Sequence, residues 1–97
     1  ELDPRITALS LEEVTLRRTR AEGEAVLVVE GWIANSGSEV VQLPPLEARL
    51  LDAEGQPLRR WSFAPEEERL EAGARTRFRT QVADLREAVS IDLDFLR

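Results

Sequence analysis

The feature that most constrains this chain is apolar alternation with a period of two. Its longest apolar run, Leu27-Val28-Val29-Glu30-Gly31-Trp32-Ile33-Ala34-Asn35, is short. Leu27, Val29, Gly31 and Ile33 fall on one side of that pattern, and Val28, Glu30 and Trp32 on the other. A β-strand places alternate side chains on opposite faces, so this segment reads as a central strand around which the others pack. No stretch of twelve residues shows a helical period.

The remaining segments repeat the alternation. Glu1 to Ser10 reads as a lead-in or linker, because Pro4 disfavours helix at Asp3; Ile6, Thr7 and Leu9 extend it into a short edge strand. From Leu11 to Thr19, Val14 and Leu16 face one way and Thr15, Arg17 and Thr19 the other. Ala21-Glu22-Gly23-Glu24 is a turn, and Asn35-Ser36-Gly37-Ser38 closes the central strand. Pro44-Pro45 supplies no ladder donor and marks an edge or a connection between sheets. Leu46 to Leu51 and Leu58 to Phe63 form a hairpin around Asp52 to Pro57. Pro65 followed by Glu66-Glu67-Glu68 predicts a single helical turn. Arg75, Arg77 and Arg79 alternate with Thr76, Phe78 and Thr80, and Val89, Ile91, Leu93 and Phe95 alternate with Ser90, Asp92 and Asp94. The predicted fold is all-β: an antiparallel, immunoglobulin-like or fibronectin-III-like β-sandwich of about seven strands over residues 11–97. The predicted core is Val14, Leu16, Leu27, Val29, Ile33, Leu50, Trp61, Phe63, Phe78, Ile91 and Leu93. Gly31 interrupts a strand, which predicts close approach by a large residue of the facing sheet, Trp61 or Phe78.

Composition excludes much chemistry. Ninety-seven residues make one domain, and no run of 18 apolar residues is present. Cysteine, histidine, methionine and tyrosine are absent, which removes disulfides, thiolate nucleophiles, imidazole bases and soft-metal ligands. The net charge of −6 argues against nucleic acid as a partner, since phosphate contacts need clustered positive charge. All 13 basic residues are arginine. The carboxylates lie mostly in turns, so acid–base catalysis by a carboxylate pair is not expected. Glu66, Glu67 and Glu68 lack the spacing and glycine turn of a calcium loop. No catalytic, cofactor or metal site is expected, and the chain is not read as an enzyme.

Two surface features remain. If the face opposite Leu27, Val29 and Ile33 is outward, Val28 and Trp32 form an apolar patch suited to a partner; otherwise loops or the N-terminal segment cover it. Arg75, Arg77 and Arg79 form a stripe that is either a solvated sheet face or a contact for an anion. Antiparallel pairing of the last two strands, with Val82 opposite Val89, sets Arg79 against Asp92 and Arg77 against Asp94.

Several residues carry a family resemblance. The strand Leu27-x-Val29-x-Gly31-x-Ile33-x-Asn35 precedes Leu46-x-Ala48-x-Leu50-x-Asp52-x-x-Gly55, then Leu70-x-x-Gly73 and Phe78. Over roughly residues 24–96 this resembles the immunoglobulin-like, FxLYD-related domain that bacterial membrane proteins carry after a zinc ribbon and a transmembrane segment. The zinc-ribbon half and the FxLYD tetrad are absent from this chain. The resemblance implies a periplasmic or cell-envelope location outside the cytoplasm, no known activity, and membrane association only through a segment outside this chain. The expected role is a non-catalytic interaction or spacer module of a larger bacterial envelope protein, with protein as partner. The alternative is a module that binds an anionic glycan or lipid headgroup through the arginine stripe.

Overall fold

The computed structural model describes residues 8–96. Eight strands follow in order among these residues: β1 (Leu9–Ala21), β2 (Glu24–Asn35), β3 (Val41–Gln42), β4 (Leu46–Leu51), β5 (Pro57–Phe63), β6 (Arg69–Leu70), β7 (Arg75–Ala83) and β8 (Ser90–Phe95). They form an antiparallel β-sandwich. One sheet has the order β1-β2-β7, the other β5-β4-β8, and β3 pairs with β6 in a two-stranded piece. β1 begins at Leu9, inside the stretch read as lead-in; Ile6 and Thr7 lie outside the described residues.

The two middle strands supply the centre of the core. Leu27, Val29 and Ile33 of β2, and Leu46, Ala48 and Leu50 of β4, are fully buried. Phe78 joins them from β7. The predicted core residues Leu16, Trp61, Phe63, Ile91 and Leu93 pack against these but are only half-buried, because β1, β5 and β8 are edge strands. Trp61 Nε1–H donates to Thr80 Oγ1 at 3.0 Å, and the Phe63 and Phe78 rings lie 6.0 Å apart, so β5 faces β7 across the core.

Val14 is not in the core; it is exposed. The cause is a bulge in β1. Glu12 pairs with Trp32, but the next pair is Thr15 with Glu30, which leaves one extra residue on β1. Glu13 takes φ 52° at that point. The extra residue reverses the phase of the strand. Leu9 and Leu11 face inward before it and Leu16 faces inward after it, while Val14 is released to solvent.

The last two strands do not form a hairpin. β7 pairs with β2, and β8 pairs with β4 in the opposite sheet. The segment 84–89 carries the chain across the core: Ala88 is buried and Leu85 packs against Leu27 and Leu50. Arg18 holds this crossing in place. Its Nε donates to Asp84 Oδ1 at 3.1 Å, and one Nη donates to the Ala88 carbonyl at 2.8 Å and to those of Arg86 and Leu85 at 3.4 and 3.5 Å. Val89, expected inside opposite Val82, is therefore exposed. Nor does a helical turn form at residues 64–68. That segment must reach β6, where Leu43 N–H donates to the Glu68 carbonyl at 2.8 Å, and a helical turn would shorten its span.

Asn35 is a buried polar junction. Its Nδ2 donates to the carbonyls of Glu39, Leu70 and Glu71 at 2.8, 3.0 and 3.3 Å, and its Oδ1 accepts from Gly37 N–H at 2.9 Å. Asn35→Ala is expected to cost about 1–3 kcal/mol, because the buried Leu70 carbonyl loses a donor that water cannot replace. Urea denaturation measures it, and an unmoved midpoint counts against the junction. Gly31 tests the sheet packing. A Cβ there would lie 2.8 Å from Phe78 Cζ and 3.1 Å from the Glu12 carbonyl oxygen. Gly31→Ala is expected to destabilise by about 1–3 kcal/mol through overpacking, since ring and backbone crowd the site from both sides.

Candidate functional site

The outer face of the β1-β2-β7 sheet gathers the residues singled out in the sequence. β2 places Glu30 and Trp32 on that face, between Thr15 and Glu12 of β1 and Arg79 and Arg77 of β7. The aromatic residue is not an open platform. The Arg75 guanidinium carbon lies 4.6 Å from the centroid of the Trp32 ring and that of Arg77 lies 5.5 Å from it. A guanidinium over the electron-rich face of an indole is attracted to its quadrupole. Val28 is fully buried, between cross-strand neighbours Arg17 and Gln81, and so forms no exposed patch with Trp32. Long side chains flanking a middle strand can cover a valine with their aliphatic stems.

The arginine stripe faces glutamates and not the aspartates of β8. Arg75 is shared by Glu12 at 3.3 Å and Glu13 at 2.9 Å. Glu30 is approached by Arg17 at 3.2 Å, Arg77 at 3.6 Å and Arg79 at 3.8 Å. Asp92 instead meets Arg49, its cross-strand neighbour on β4, at 2.7 Å. The bulge contributes here, since it brings both Glu12 and Glu13 within reach of Arg75. The knot at Glu30 is unequal, with three arginines around one carboxylate. It opens on a groove of ≈ 370 Å³ lined by Glu30, Glu66, Arg77, Phe78 and Arg79. A second depression, lined by Glu66, Glu67, Glu68, Arg69 and Glu71, is acidic. Among the described residues no group of three or more His, Cys, Asp or Glu side chains is arranged to hold a metal ion.

Sequence reasoning missed the role of Glu30 as the shared partner of the stripe, although its place in the alternation beside Trp32 was legible. It missed Glu12 and Glu13 because the bulge was not visible. It also missed that charge is sorted by strand. β5 carries Arg59 and Arg60, β7 carries Arg75, Arg77 and Arg79, and neither strand carries an acidic residue.

Replacing Glu30 tests the knot. Glu30→Gln leaves Arg17, Arg77 and Arg79 without their common carboxylate, and is expected to destabilise by about 0.5–1.5 kcal/mol at low salt. The loss should shrink in about 0.5 M salt, where screening weakens both the pairs and the arginine repulsion. Urea midpoints at the two salt concentrations measure this, and a salt-independent difference counts against it.

Comparison with known proteins finds one family. Residues 6–94 match the family described as "Protein of unknown function (DUF3426)". Neither a curated protein nor a solved structure matches the chain. The match spans nearly the whole sequence, and the chain belongs to this family of unknown function.

Proposed function

We propose that this domain is a non-catalytic interaction or spacer module of a larger bacterial envelope protein, placed outside the cytoplasm, with protein as its partner. The observation that carries the reading is the sorting of charge. In a chain of net charge −6, the two edge strands β5 and β7, which face each other across the core, carry only arginine as charged residues. A one-signed strip on a protein of opposite net charge suits recognition of an acidic surface. The missing histidine and cysteine fit a binding role better than a chemical one.

The second reading is a module for an anionic glycan or lipid headgroup held by Arg75, Arg77 and Arg79. The unequal knot at Glu30 favours it, and the existing glutamate partners weigh against it. Photo-crosslinking separates the two. A photoreactive residue at Ser62 of β5 or Gln81 of β7, in the full-length protein in its native envelope, is expected to capture a protein. Adducts with lipid or glycan alone would favour the second reading. A reporter fused after the domain that is active only outside the cytoplasm is expected to be active.

A further inference from the structure

The outer edge of β7 differs from the other three edges of the two three-stranded sheets. β1 is broken by its bulge. β5 opens at Pro57 and is bulged at Leu58, which has no partner on β4, and β8 has only six residues. β7 runs nine residues in unbroken register with β2, and among the described residues no strand pairs with its other side.

Which backbone groups face that edge follows from the ladder. Asn35 N–H donates to the Ala74 carbonyl at 3.0 Å, and Asp84 N–H donates to the Ala25 carbonyl at 3.1 Å. These bonds bracket the register of β2 and β7. Antiparallel ladders alternate bonded and non-bonded pairs, so Thr76, Phe78, Thr80 and Val82 bond to β2. Arg75, Arg77, Arg79 and Gln81 therefore turn N–H and C=O toward the outer edge. The residues that offer backbone groups to a new strand are the ones whose side chains form the basic stripe. Beside them runs the groove between Arg77, Arg79 and Glu66.

We propose that the outer edge of β7 accepts an extended peptide segment of a partner protein, added as an antiparallel strand, with acidic side chains at every second position. This deepens the reading of the domain as a protein-binding module and rests on it. In such a pairing the residue bonded to Arg77 or Arg79 lies directly opposite it on the outer face, where an acidic side chain meets a guanidinium. The intervening positions lie beside Thr76, Phe78 and Thr80 and suit apolar or β-branched residues. Three features of charge select an acidic partner. Arg77 and Arg79 hold only long pairs to a carboxylate that Arg17 occupies more closely. Arg59 and Arg60 of β5 make no ion pair with another described residue. No acidic residue belongs to β5 or β7. Glu66 stands at the groove wall as the one acidic side chain besides Glu30, and it disfavours a second acidic residue close to it.

The test uses the folded domain and a synthetic nonapeptide alternating glutamate with valine. Three control peptides accompany it: a scrambled order, lysine in place of glutamate, and N-methylated backbone at the glutamate positions. Binding is followed by amide chemical shifts and hydrogen exchange. The alternating peptide is expected to bind at low salt and to protect the amides of Arg77, Arg79 and Gln81. Arg77→Gln with Arg79→Gln is expected to weaken it at least about tenfold. Gln81→Pro removes one edge donor without touching the β2 ladder; with its circular dichroism unchanged, it too should weaken binding. Equal binding of the scrambled or N-methylated peptide would overturn strand addition and leave only charge attraction. No binding at about 1 mM would overturn the proposal and give the arginines the role of keeping the edge unpaired. Self-association of the domain that the peptide fails to displace would assign the edge to a second copy. Protein crosslinks in the envelope together with a silent peptide would sink this inference while leaving the module reading intact.

Discussion

The carboxamide of Asn35 is the interaction on which the top of the sandwich depends. It sits at the end of β2, where two segments that follow it in sequence by widely different distances converge. One is the adjoining turn at Gly37 and Glu39, the other the β6–β7 connection at Leu70 and Glu71. Its backbone completes the ladder, with N–H donating to Ala74 and the carbonyl accepting from Gly73 N–H at 2.8 Å. No aliphatic side chain can serve here, because buried carbonyls need a donor. An aspartate would present acceptors to acceptors. Since β6 also fixes β3, the same side chain indirectly sets where the chain crosses from the first sheet to β4.

The middle of each sheet was legible in the sequence and the edges were not. Leu27, Val29 and Ile33, or Leu46, Ala48 and Leu50, alternate cleanly because both neighbours of their strands constrain them. Gly31 was legible in part: a missing Cβ implied a large neighbour, and Phe78 is that neighbour, but it stands opposite Gly31 on β7 of the same sheet and not in the facing sheet. Edge strands answer to fewer constraints. The phase reversal in β1 is written in the spacing of Leu9, Leu11 and Leu16, but reading Val14 with Leu16 conceals it. The pairing of β7 with β8 satisfied apolar pattern and charge together, yet local complementarity does not decide which sheet a strand joins. What decides is burial of Ala88 and Leu85 across the core, with Arg18 holding the crossing, and those are long-range facts.

The arginine-only composition has physical consequences, whatever its origin. A guanidinium is planar and offers donors in several directions, whereas an ammonium is a compact point charge. Arg18 uses that geometry to reach one carboxylate and three carbonyls at once. Arg75 stacks on Trp32 while meeting two glutamates. Lysine at either place would keep the charge and lose most of the contacts. The candidate site was thus visible in the sequence as a stripe of charge. The partners that tune the stripe were hidden, because Glu12, Glu13 and Glu30 meet it only after two strands have aligned beside β7.

The bulge at Glu13 has a further consequence, in how this family can tolerate change in length. It works as a phase converter: the faces of β1 before and after it are defined by opposite parity. Removing one residue there would give a longer, straighter ladder with more regular hydrogen bonding. It would leave Leu9, Leu11 and Leu16 facing inward, since their partners Asn35, Ile33 and Val29 lie on one face of β2, but it would cost one of the two glutamates that meet Arg75. The bulge therefore serves the contacts of Arg75 and not the burial of β1. A single deletion at the bulge should be accepted more readily than one within β2, whose unbroken ladder with β7 has no extra residue to give up, so that a deletion there turns part of the strand to the wrong face.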